Sequence, residues 1–157
     1  MPEITVVITT YNLEAYIGTC LEELFSGTYQ DFDVVLVDDG SKDQTVDIVE
    51  TYAQRYPGRI HPIFLQKNLG SPAKTRNWAL NSGFIDGKYV VFLDGDDSLE
   101  SEYLERLHML ALQSGADTVI CAYDRVEEKS RRVLCTEMQG FPKMISLPPK
   151  DDTLAFV

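Results

Sequence analysis

An α/β fold, a mostly parallel sheet with helices on both faces, is predicted by two features of this sequence. Four short β-branched or aromatic runs lie at Ile4–Thr10, Phe32–Val37, about 59–66 and Tyr89–Leu93, and each leads into a segment of helical period. Successive strand–helix units of this kind give parallel strands joined by crossover helices. A third observation concerns charge. Two of the runs stop abruptly in clustered carboxylates, at Asp38-Asp39 and at Asp94, Asp96 and Asp97.

The first run, ITVVITT, exits through Tyr11-Asn12 with no glycine. The dinucleotide fingerprint G-x-G-x-x-G belongs at this exit and is absent, and G-x-x-x-x-G-K occurs nowhere. Apolar residues at Leu13, Tyr16, Ile17, Cys20, Leu21, Leu24 and Phe25 keep one face of the next segment apolar, and Gly27 suits its end. After the second run, Ser41 or Asp43 can cap a helix over about 44–56, which Pro57-Gly58 closes. The third strand is followed by Asn68-Leu69-Gly70-Ser71-Pro72, a turn that supplies Ser71 as N-cap and Pro72 in the first helical position. The helix it opens, about 73–84, carries Lys74 and Arg76 on its first turn; Trp78 reads as core beside Leu80 and Phe84. A helix over 99–113 stopped by Gly115, a fifth strand over 117–123 and a charged edge strand or hairpin over 125–138 follow the fourth strand. Residues 141–157 are proline-rich, and there is no internal repeat or low-complexity tract.

A chain of 157 residues, 44% hydrophobic and 25% charged, is long enough for one domain with a real core. Its 14 basic and 25 acidic residues give a formal charge of -11, which argues against non-specific nucleic-acid binding and discourages docking on an anionic membrane. No apolar run approaches a bilayer span, and no secretory signal precedes the first strand. Cys20, Cys121 and Cys135 have no metal-ligand spacing and read as core-packing thiols of a reducing cytosol. His61 and His108 have no partner motif and read as packing or surface residues.

In parallel strands the C-terminal ends share one edge, where ligands of open α/β sheets collect. That edge receives Thr9, Thr10, Tyr11 and Asn12, then Asp38, Asp39 and Ser41, then Asp94, Asp96 and Asp97, with Lys74 and Arg76 nearby. Clustered carboxylates repel unless something positive sits among them, and a hard divalent cation such as Mg²⁺ or Mn²⁺ suits oxygen ligands. Such an ion shares its coordination with water and substrate phosphate, so a nucleotide fits this edge better than an isolated metal. Carboxylates can grip ribose hydroxyls or base N–H groups, and Arg76 can fork onto phosphate. The plainer reading of each piece is structural. Tyr11-Asn12 can be a turn, Asp38-Asp39-Gly40-Ser41 and Asp94–Ser98 can be helix-cap turns, and Arg76 can be a solvated helix residue. Asp94 favours function, because a carboxylate ending a buried strand is costly unless paired.

Taken in order and spacing, ITTYN, VVLVDDGSKDQT, NLGSPAKTRNWAL and YVVFLDGDDSL resemble the nucleotide-sugar-binding half of the inverting family 2 glycosyltransferases, which have the GT-A fold. The resemblance spans about Val6 to Leu107. By motif position it implies that Thr9 and Tyr11 line the base pocket and that Asp39, supported by Asp38, contacts a uracil or equivalent base. Arg76, with Lys74, approaches the nucleotide. Asp94 and Asp96 match the D-x-D pair, the first near ribose and donor sugar and the second on Mn²⁺ or Mg²⁺, with Asp97 a further ligand or a support for the loop. The implied activity is a metal-dependent hexosyltransferase that moves a sugar from a nucleotide sugar, UDP-linked by expectation, to a saccharide or lipid-linked acceptor hydroxyl. It implies surface polysaccharide or glycolipid synthesis, in the cytoplasm or at the inner face of the membrane, and admits a homodimer.

Residues 1–125 then form the GT-A nucleotide-sugar-binding domain, and 126–157 begin an acceptor-side region that is incomplete, a C-terminal truncation being expected. The family's later acidic E-D pair and Q-x-x-R-W segment are not recognisable, so the catalytic base is expected to lie outside this chain, and Asp151-Asp152 is not assigned to that role. Two other readings stand beside this one: a non-catalytic nucleotide-sugar-binding module, and an aspartyl phosphotransferase with Asp94 as nucleophile. The second requires its motif on the first strand, whereas LDGDDS lies on the fourth.

Overall fold

The computed structural model describes residues 1–127 and 132–137. It consists of two compact units, Met1–Glu102 and a second that begins at Tyr103. The first contains β1 (Ile4–Thr10), α1 (Ile17–Ser26), β2 (Phe32–Asp38), α2 (Thr45–Arg55), β3 (Ile60–Phe64), α3 (Pro72–Leu80) and β4 (Tyr89–Asp94). The second contains α4 (Tyr103–Ser114), β5 (Tyr123–Val126) and β6 (Val133–Glu137), the last two pairing as an antiparallel hairpin as the charged stretch suggested.

Strands of the first unit form one parallel sheet in the order β3-β2-β1-β4. The two central strands, β1 and β2, are buried at every position, which is why both read as continuous β-branched runs and not as alternating ones. Side chains alternate across a strand, so Val7, Val35 and Val37 share a face, and there they cluster with Ala79 of α3. Val6, Ile8, Val34 and Leu36 are equally buried on the opposite face, the one left to the apolar stripes of α1 and α2. Those helices pack on each other, and Tyr52 Oη donates to the Gly18 carbonyl at 3.0 Å. This is the expected α/β architecture, a mostly parallel sheet flanked by helices. Among the described residues no helix is long and apolar enough to cross a membrane.

Several local expectations are corrected. Helix α1 starts at Ile17 and not near Leu13, because the chain first turns at Asn12, whose φ is 54°. The N-cap position of α2 is Gln44, which makes no side-chain cap bond; Asp43, one residue earlier, accepts the amide of Thr45, the first helical residue, at 3.0 Å, whereas Ser41 bonds to Asp38. Ser71 and Pro72 do open α3 as expected, but the helix ends at Leu80, and its buried residues are Thr75 and Ala79. Trp78, one step round from Ala79, is therefore turned outward and is 51% exposed, not core. Phe84 is also exposed and stacks on His61, with ring centroids 4.7 Å apart, while His61 Nε2 lies 3.7 Å from Asp33 Oδ2.

Residues 117–122 form no strand: β5 begins at Tyr123, and a β-branched run becomes a strand only where a neighbour supplies backbone partners, which none of the described residues does. Cys20 is buried as expected, whereas Cys121 and Cys135 are exposed. Asp151-Asp152, the proline-rich segment and most of 126–157 lie outside the described residues.

Candidate functional site

The register of the sheet decides which loops meet. Parallel pairing sets Thr10 beside Asp38 and Thr9 beside Asp94, so β1, β2 and β4 end at one level. Both threonines use the contact: Thr10 Oγ1 donates to Asp38 Oδ2 at 3.0 Å, and Thr9 Oγ1 to Asp94 Oδ1 at 3.4 Å. The Asp39 amide donates to the Thr10 carbonyl at 2.8 Å, and the Gly95 amide to the Thr9 carbonyl at 3.2 Å, extending the sheet into the loops.

The two neighbouring aspartates after β2 have different work. Asp38 is 1% exposed and its carboxylate is saturated from within, by Thr10, by the amides of Gly40 and Ser41 at 3.1 and 2.9 Å, and by the Ser41 hydroxyl in a short bond. It turns the chain. Asp39 reaches the other way and accepts the Leu69 amide at 2.9 Å, tying the loop after β3 to the edge. That approach requires Gly40: its φ is 76°, and a Cβ there would stand 2.9 Å from the Lys67 carbonyl carbon.

Arg76, which opens the second turn of α3, donates from Nη2 to Asp94 Oδ1 at 2.6 Å. Both side chains are more than a third exposed, so the pair contributes at most about 1 kcal/mol of stability. Its consequence is geometric: it places a cation and the first carboxylate of D-x-D side by side. Lys74 is exposed and leans on the Leu69 carbonyl, with Nζ at 3.4 Å. Tyr11 is 45% exposed beyond the edge. Asp96 is exposed, and with Asp94 and burial it pushes the Asp97 carboxyl above its usual range, burial being the largest cause. The sheet thus brings Thr9, Asp38, Asp39, Asp94 and Arg76 together, with Tyr11, Lys74, Asp96 and Asp97 at the margin.

A carboxyl whose pKa is raised by folding holds its proton more tightly in the native state. It costs stability as pH rises through the folded value, and the cost vanishes below the unfolded one, near 3.8. Asp97→Asn is therefore expected to stabilise the ligand-free protein at pH 7 by roughly 0.5 kcal/mol, a value kept small for partial exposure. Thermal melts from pH 7 down to 4 should show the gain shrinking.

A clasp between the loops after β1 and β2 was not legible as a unit. The Asn12 amide donates to Ser41 Oγ and its Oδ1 accepts the Lys42 amide, both at 2.8 Å; the Glu14 amide donates to Asp43 Oδ2 at 3.0 Å, and Glu14 Oε2 accepts the Gln44 amide at 2.9 Å. The available signal was Asn at a strand exit, a residue that tolerates the left-handed backbone.

Among the described residues no group of three His, Cys, Asp or Glu stands ready to hold a metal ion. The donors present are hard oxygens, and a site of one or two carboxylates completed by diphosphate and water needs no such group.

A model of glycosyl transferase family 2 matches residues 5–145. The chain is 36% identical over 122 residues to the putative glycosyltransferase EpsH of Bacillus subtilis strain 168, covering 78% of this chain and 34% of EpsH. Superposition on S. aureus TarS 1-349 in complex with UDP-GlcNAc gives a TM-score of 0.66 at 36% identity, over 73% of this chain and 32% of that one. The mannosyltransferase PcManGT of Pyrobaculum calidifontis, solved with GDP-Man and Mn²⁺, gives 0.63 at 27% identity over 80% of this chain and 36% of that one. The chain thus spans well under half the length of each of these proteins.

Proposed function

The chain belongs to glycosyl transferase family 2, and from that premise we propose that it carries the donor site of an inverting, metal-dependent transferase that uses a nucleotide sugar. Support comes from one observation above all: the register that sets Thr9 against Asp94 and Thr10 against Asp38 at one sheet edge, with Asp39 and Arg76 reaching the same edge. The relatives solved with UDP-GlcNAc and GDP-Man support the ligand class.

In this reading Thr9, Tyr11 and Asp39 meet the base, which we take to be uracil. Asp38 holds Asp39 in place. Arg76 keeps one N–H on Asp94 and turns the others to the diphosphate, with Lys74 beside it. Asp94 faces ribose and the donor sugar, and Asp96, aided by Asp97 and Asp94, would hold Mn²⁺ or Mg²⁺. A divalent cation supplies charge to offset that developing on the departing nucleoside diphosphate. An acceptor hydroxyl attacks the anomeric carbon, a C–O bond forms as the bond to the diphosphate breaks, and the hydroxyl proton passes to a base assigned to no residue here. A hexose donor, a saccharide or lipid-linked acceptor, and work at the cytoplasmic membrane face in surface polysaccharide synthesis complete the proposal. The homodimer and the division at residue 125 belong to it too.

Thermal shift with nucleoside diphosphates tests it. UDP with Mn²⁺, at a hundredfold over its Kd, is expected to stabilise the protein by about 2.7 kcal/mol, and UDP with chelator by far less. Asp96→Ala should erase that metal dependence. Equal stabilisation of wild type and variant would remove Asp96 from the metal role, and no response to any nucleotide would end the donor-site reading.

A further inference from the structure

Glu23 of α1 lies outside the four motifs quoted above and has no part in the reading above, yet it grips the acidic loop directly. Its carboxylate accepts the Ser98 hydroxyl at 2.9 and 3.0 Å and the Leu99 amide at 2.8 Å. Residues 97–100 belong to no helix or strand, so their position depends on such anchors.

The grip is part of a longer alignment. A Cβ at Gly95 would meet Ile17 Cδ1 at 3.2 Å; Cys20 Sγ lies 3.9 Å from the Asp94 carbonyl oxygen, to which it donates; beyond Glu23, the Thr28 amide donates to the Ser101 carbonyl at 2.9 Å. Positions 17, 20 and 23 follow one another at three-residue steps, which keeps them on one side of a helix. One stripe of α1 therefore runs along the chain from Asp94 to Leu99. Burial, with the carboxylates of Asp97, Glu23, Asp96 and Asp94, pushes the Cys20 thiol up to about 12, so it packs there as a neutral group. Glu23 is the charged member of the stripe. A fourth carboxylate beside three others is an electrostatic cost, and two charge-assisted hydrogen bonds to the loop give a reason for it.

We propose that Glu23 is a positioning residue of the donor site: by holding Ser98 and Leu99 it sets where Asp96 and Asp97 stand. The proposal rests on the reading of Asp96 as cation ligand for its functional consequence, and on the hydrogen bonds alone for its structural one.

Glu23→Ala and Glu23→Gln separate the two. In ligand-free protein, Glu23→Ala is expected to speed hydrogen exchange of the Leu99 amide about tenfold or more while the amides of β1 and β2 keep their protection. The Mn²⁺ concentration for half-maximal stabilisation by UDP should rise about tenfold, as for other residues that orient a ligand without touching the metal. Glu23→Gln, which keeps one acceptor oxygen, should fall between the two in both measurements. A lower Tm with Leu99 exchange and the Mn²⁺ midpoint both unchanged would make Glu23 a packing residue and overturn the proposal. A shifted midpoint with unchanged exchange would assign the effect to charge and overturn it equally. Should wild type itself fail to respond to UDP and Mn²⁺, the donor-site reading fails, and Leu99 exchange still decides whether Glu23 holds the loop.

Discussion

Asp38→Ala is expected to destabilise the protein by about 3 kcal/mol or more, because it strands several buried donors at once, and each costs on the order of 1–3 kcal/mol when left unpaired. The donors are the Thr10 hydroxyl, the amides of Gly40 and Ser41, and the Ser41 hydroxyl, around a carboxylate 1% exposed. Thermal or urea unfolding checks the value, and a drop of roughly 6–12 °C in Tm corresponds to it for a chain of this size. Asp38→Asn should recover part of the loss and no more, since its amide turns N–H groups toward donors on one side. The nucleotide response should weaken with it: Asp38 closes the turn that carries Asp39 to the Leu69 amide. A variant that keeps wild-type stability would show that water replaces the carboxylate, and that the turn does not depend on it.

Gly87→Ala is expected to cost about as much, by a different route. A Cβ at Gly87 would stand 2.4 Å from the Thr5 amide nitrogen and 2.7 Å from the Ile4 carbonyl carbon, both backbone atoms of β1. No rotamer relieves a clash with backbone, so β4 would have to draw away from β1 where their pairing begins, at Ile4 beside Tyr89, five positions before Thr9 meets Asp94. Overpacking a well-filled interior costs about 1–3 kcal/mol, and this contact belongs at the upper end. Gly95 is the control. A Cβ there meets Thr10 Cγ2 at 2.8 Å and Leu13 Cδ1 at 3.1 Å, side-chain atoms that can move. Gly95→Ala should therefore lower Tm by less than half as much as Gly87→Ala; equal losses would refute the distinction between backbone and side-chain contact.

The element order up to α4 was legible because its signals are local. A buried β-branched run and a 3.6-residue apolar period act within about ten residues, and the glycine and proline stops beside them act within two or three. The same signals misled where a strand needs a neighbour: 117–122 has β-branched content and no described partner. They misled again at Trp78, where Thr75 and Ala79 took the inward stripe of a shorter helix. The convergence of acidic loops followed from parallel strands alone. The desolvation argument at Asp94 assumed a buried strand end; β4 is only half-buried and the Asp94 side chain is 48% exposed, so the Arg76 bond is not a repayment of burial.

By itself, then, the amino-acid order determined the sequence of strands and helices up to α4 and the edge at which Asp38, Asp39 and Asp94 gather, because each depends on residues close in the chain or on strand direction. Only the tertiary structure decided what each carboxylate does. Asp38 binds Thr10 from 28 residues away, Asp39 the Leu69 amide from 30, Asp94 Thr9 from 85, and Glu23 the Leu99 amide from 76. Such partners are chosen by strand register and helix packing, which are cooperative properties of the folded sheet, so no local pattern assigns them in advance.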